Sequence, residues 1–80
     1  MDIDLARDVV RTAFRSSSEL QALLGKLKAR CSLAEYQDYA RGVAAAVDGI
    51  GIALINKVLA EHPELSSEID ESIAKHGQYR

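Results

Sequence analysis

Apolar side chains recur along the first third of the chain at Ile3, Ala6, Val10, Ala13, Leu20, Leu24, Leu27 and Cys31, and Ser17 keeps the phase in the middle. Steps of three and four residues are the period of a helix with one covered face. Phe14 and Leu23 widen the stripe, and Asp2 or Asp4 supplies a side-chain oxygen for the first unpaired backbone N–H groups. Ser18, followed three residues later by Gln21, reads as a capping box and offers a restart after a break within Ser16–Ser18. Because the stripe holds its phase through Ser17, one continuous or kinked helix over about residues 3–30 is expected.

A second helix opens at Ser32-Leu33-Ala34-Glu35, a capping box in which serine and glutamate each satisfy an orphaned N–H. Its stripe is Leu33, Tyr36, Ala40, Val43, Val47, Ile50, Leu54 and Val58, and it ends near Glu61, since Pro63 disfavours helical geometry in His62. A third helix is expected from about residue 64 to His76, carrying Leu65, Ile69 and Ile73, with Gly77 as its stop. No alternating run and no Asn-Gly or Asp-Gly turn signals a strand.

Short connections make neighbouring helices antiparallel. Folding the first two about Cys31-Ser32 sets Leu27 opposite Tyr36, Leu20 opposite Val43, Ala13 opposite Ile50 and Val10 opposite Leu54, with the serine triplet facing Ala44–Ala46. The third helix then lies on a flank of the second, Leu65 meeting Leu59, Ile69 meeting Ile55, and Ile73 meeting Ile52 or Gly51. The expected fold is all-α: a long antiparallel helical hairpin plus a short third helix. This three-helix bundle is read as one small domain over residues 1–80 that dimerises into a larger bundle.

The reason for expecting a dimer is the run Val43–Ile55, VAAAVDGIGIALI, broken only by Asp48. A helix apolar nearly all round needs cover on several sides. Two sides are taken by the other helices, which leaves Gly42, Ala46, Gly49, Ala53 and Asn56 on a third. Glycine inside a helix costs about 1 kcal/mol against alanine, and small residues at this spacing admit a second helix closely. A homodimer seam is the expectation; the plainer alternatives are cover by a rotated helix of the same chain, or simple exposure. The run is shorter than the roughly 20 apolar residues that span a bilayer and carries a charge in its middle, so no membrane is expected.

Eighty residues bury only about 60% of their unfolded surface, which leaves such a chain marginal unless it is stapled or oligomeric. One cysteine, Cys31, excludes an internal disulfide, and the acidic start MDIDLARDVV lacks the order of a secretory signal, so a cytoplasmic setting is expected. A formal net charge of −2 offers no bulk attraction to nucleic acid.

Candidate chemistry is sparse. Helix pairing brings Arg15 and His76 toward Asp48 on an apolar flank, a buried-charge candidate read as a structural ion pair or a partly solvated charge, with a catalytic carboxylate beside histidine as the sharper reading. Nothing else needed for nucleophilic catalysis accompanies it. His62 lies between Glu61 and Glu64 without the close spacing of metal ligand sets, and neither metal nor cofactor is expected. Cys31 at the turn is read as a buried or half-buried structural thiol. Arg7, Arg11 and Arg15 form a basic strip that Asp4, Asp8 and Glu19 partly neutralise, and Lys26, Lys28 and Arg30 a second basic patch. Glu64, Glu68, Asp70 and Glu71 make the third helix acidic. Tyr36 and Tyr39 are expected to pack with their hydroxyls in water, and Tyr79 and Arg80, beyond Gly77, to fray. The functional expectation is a non-enzymatic protein–protein interaction module acting as a homodimer. The alternative is a nucleic-acid-associated regulator using the Arg7/Arg11/Arg15 strip.

Overall fold

The computed structural model describes residues 1–79, and among them the protein is all-α, with three helices and no strand. Helix α1 spans Ile3–Arg30 without a break: the serine triplet stays helical and Ser17 is buried in its stripe. Asp2 caps it by accepting a 2.8 Å hydrogen bond from the Leu5 N–H. Helix α2 spans Leu33–Glu61 and begins at the Ser32/Glu35 capping box, in which the Ser32 hydroxyl accepts from the Glu35 N–H at 3.2 Å. Helix α3 spans Leu65–His76 and stops at Gly77, whose φ of 72° is the left-handed conformation that glycine adopts without a Cβ penalty.

Within α2 one turn is wider than the rest. Gly51–Ile55 forms a π-turn in which the Asn56 N–H donates to the Gly51 carbonyl, five residues back. A π-turn takes up one residue more than an α-turn, so positions beyond it lag by about 100°. Ile55 in this turn is half-buried, and Leu54, which borders the groove with Leu5 and Val9 of α1, is 43% exposed.

Helices α1 and α2 lie against each other, joined through Cys31 and Ser32. Leu24 shares a groove with Ala40, Val43 and Val47, and further along Leu5, Val9 and Ala13 share one with Ile50 and Leu54. The packed core sits at one end, where Ala6 and Val10 of α1, Val58 of α2, and Leu65 and Ile69 of α3 form one cluster that Tyr79 closes. The molecule is a flat slab, 45 × 25 × 15 Å, with a radius of gyration of 14.8 Å against the about 11.6 Å of a compact domain of this length.

Three expectations are corrected here. Tyr79 does not fray: it is 8% exposed and part of the core. Arg80 lies outside the described residues. Helix α3 does not sit on α2 alone, because polar and aromatic contacts from Glu68 and Tyr79 tie it to α1 as well; Ile73 and Ile52, expected to meet, are 42% and 69% exposed. Of the serine triplet only Ser17 is buried, and Ala45 and Ala46 opposite it are exposed, since consecutive helical residues point 100° apart and cannot share one neighbour.

Candidate interaction surface

The side chains with the densest polar connections lie where α3 meets α1. The Arg7 Nε donates to both Glu68 oxygens, at 2.9 and 3.1 Å, while its Nη1 donates to Asp4 at 3.0 Å. The Tyr79 hydroxyl donates to the same Glu68 carboxylate. The Tyr79 ring meets Phe14 edge-on, centroids 6.2 Å apart at 72°, and the Arg11 guanidinium lies 5.2 Å from its centre. These contacts carry the tail past Gly77 back onto α1. The hydrogen bond from Tyr79 and the charge of Arg7 hold the Glu68 carboxyl below its ordinary value, and burial together with Glu68 pushes the Tyr79 hydroxyl up to about 12. The arrangement is a clasp that joins three segments, and beside it Ser18, Glu19 and Arg15 line a cleft together with Phe14 and Tyr79.

The clasp also engages the basic strip. Arg7 is committed to Asp4 and Glu68, Arg11 to Tyr79 with Asp8 4.0 Å away, and only Arg15 of the three is exposed. Helical spacing at residues 7, 11 and 15 does not make a continuous cationic face once α3 has docked. Reading the sequence missed the clasp because its partners are 61 residues apart.

The buried-charge group is corrected. Asp48, Arg15 and His76 are all exposed, and among the described residues no ion pair joins any two of them. Asp48 borders the groove of Leu24 and Val47, in reach of water, so it needs no buried partner. The His62 Nδ1 lies 3.3 Å from a Glu64 carboxylate oxygen and its Nε2 3.2 Å from the Met1 carbonyl, both acceptors to which a ring N–H donates, and no group of three His, Cys or carboxylate side chains converges among the described residues. Cys31 is half-buried at the turn.

The largest unsatisfied feature is α2 itself. Of its 29 residues only Val43 and Val58 are buried, although it is long and apolar enough, by length and composition, to cross a membrane. Gly42, Ala46, Gly49, Ala53 and Asn56 are all exposed, and the same helix leaves Leu33 at 72% and Ile52 at 69% exposure. A Cβ added at Gly42 or Gly49 would meet nothing within 4 Å, so packing inside the chain gives no reason for glycine there. The π-turn also separates Asn56 from the other four, rotating it toward a flank and bringing Lys57 to the outward side in its place. Beside this face lies an apolar groove of about 440 Å³ between α1 and α2, walled by Leu5, Val9, Ala13, Ile50 and Leu54.

Area gives the exposure a scale. The chain presents 5586 Å² to solvent, whereas a compact monomer of 8.7 kDa presents about 4,700 Å². The excess is roughly 900 Å², close to the about 800 Å² that one partner contributes to a standard interface. Comparison with protein-family models, with curated proteins and with solved structures gave no match for this chain.

Proposed function

We propose that this protein is a small cytoplasmic protein–protein interaction module that works as a homodimer. Its α1–α2 antiparallel hairpin and short α3 form a three-helix bundle, and two copies join into a larger one. The observation that carries the reading is the exposed apolar length of α2, a helix with two buried residues in 29. Apolar area of this extent stabilises association by about 25 cal/mol per Å² removed from water, against the cost of joining two molecules. The clasp between Arg7, Glu68 and Tyr79 supports a structural part for those residues in this reading, and engagement of Arg7 and Arg11 within the chain leaves the nucleic-acid alternative without a free basic strip.

Sedimentation equilibrium between 1 and 200 µM tests the reading. A dimer mass over the micromolar range is expected, and Gly49→Leu, which puts a branched side chain on the exposed face, is expected to lower the dimer fraction. A protein that stays monomeric throughout the range overturns the proposal.

A further inference from the structure

We propose that the cleft beside the clasp is a binding site for a small aromatic carboxylate, held by the Arg15 guanidinium and by the rings of Phe14 and Tyr79. No residue of α2 lines it, so the proposal stands apart from the homodimer reading above.

The cleft holds about 510 Å³, within the roughly 300–1,000 Å³ of ligand pockets. Its long wall is one face of α1, where Arg11, Arg15, Ser18 and Ala22 follow at helical steps of three and four. Its short wall is the tail, which the left-handed turn at Gly77 sends back so that Gln78 and Tyr79 border that face. The two walls come from opposite ends of the chain, and the cleft exists only once the clasp has closed.

Charge selects one half of the ligand. Two guanidiniums and a single carboxylate, that of Glu19, line the cleft, which leaves it net positive. The Arg11 guanidinium lies 5.2 Å from the centre of the Tyr79 ring and is part of the wall. Arg15 is exposed, and among the described residues its side chain makes no ion pair, not even with Glu19 one turn further on. A planar guanidinium in that state offers the forked donors that a carboxylate fills with both oxygens. Ser18 adds a hydroxyl and Gln78 an amide, both able to donate to a carboxylate oxygen.

The rings select the other half. Phe14 and Tyr79 meet edge-on at 72°, and the corner of such a pair takes a third ring that stacks on one and meets the edge of the other. Ala22, with a single side-chain carbon, leaves the far end of the long wall open. An aliphatic acid would satisfy Arg15 and forgo the rings. An aromatic amine would bring a third cation beside Arg11 and Arg15.

The test is titration of the isotope-labelled protein with phenylacetate, read by amide chemical shifts. Saturable shifts are expected at Phe14–Ala22 and at Gln78 and Tyr79, with the amides of Leu33–Glu61 little changed. Arg15→Gln removes the charge at an exposed position and should weaken phenylacetate about tenfold. Ala22→Leu, also at an exposed position, narrows the cleft and should weaken it several-fold. Cyclohexylacetate, which lacks the ring face, and 2-phenylethanol, which lacks the charge, should each bind more weakly than phenylacetate. Wild-type protein that gives no saturable shift, or binding that Arg15→Gln leaves unchanged, overturns the site. Equal binding of cyclohexylacetate or of 2-phenylethanol overturns the ligand class. The mass measured by sedimentation is independent of all these outcomes, so the homodimer reading and this site fail separately.

Discussion

The two ends of this slab share two helices and differ in how much they bury. At the clasped end, α1, α2, α3 and Tyr79 enclose Ala6, Val10, Val58, Leu65 and Ile69. At the turn end, no residue from Ser18 to Gly42 is buried, although Leu20, Leu23, Leu24, Leu27 and Leu33 all lie there. The apolar content is similar; the number of neighbours is not. Two helices alone bury one stripe each, and a third element is what converts a stripe into a core. Helix α3 is 12 residues long, about 18 Å, and cannot reach the turn of a 45 Å molecule.

If that contrast is right, the largest effect comes from the clasped core. Leu65→Ala removes a side chain 1% exposed and should destabilise by about 2–5 kcal/mol in urea denaturation at fixed protein concentration. Leu24→Ala, in the half-buried groove near the turn, should cost less than about 1 kcal/mol. Equal losses would erase the distinction between the ends.

The tail comes next. Tyr79→Ala should cost about 2–3 kcal/mol through lost packing on Phe14 and Arg11, and Tyr79→Phe about 1 kcal/mol through the lost hydrogen bond to Glu68. Two variants indistinguishable from wild type would show the tail to be an ornament on the core.

A smaller effect is the dependence on pH. The Tyr79 hydroxyl is raised from 10.0 to about 12 on folding, so its contribution is complete below pH 10 and is lost as pH rises toward about 12. Glu68 is lowered, so its contribution is complete above its ordinary value of 4.5 and is lost as pH falls below it. Melting temperature should therefore fall at both extremes, the alkaline loss shrinking in Tyr79→Phe and the acid loss in Glu68→Gln. The most local difference is expected in amide exchange, with the amides of Leu20–Gly42 opening more readily than those of Ile3–Ala13. Uniform protection along α1 would contradict it.

Much of the fold at the level of elements was legible. The capping box at Ser32 and Glu35, the breaker at Pro63 and the stop at Gly77 act within a few residues of themselves, and the helices begin and end beside them. Candidate sites fared less well. The group of Asp48, Arg15 and His76 came from counting along ideal helices, and a rotation of a few tens of degrees is enough to leave each in water. The clasp was out of reach for a different reason: Arg7 and Glu68 meet only because α3 turns toward α1, which no local pattern encodes.

By itself the sequence determined the helical elements, their boundaries and the excess of apolar surface on the second helix, because periodicity, caps and breakers are local chemistry. Tertiary structure alone decided that Tyr79 closes the core, that Asp48 faces solvent and that a π-turn at Gly51–Ile55 moves Asn56 aside and turns Lys57 outward. Those outcomes depend on how helices rotate and settle against one another, and small angular choices there summed over several contacts outweigh the phase of any single stripe.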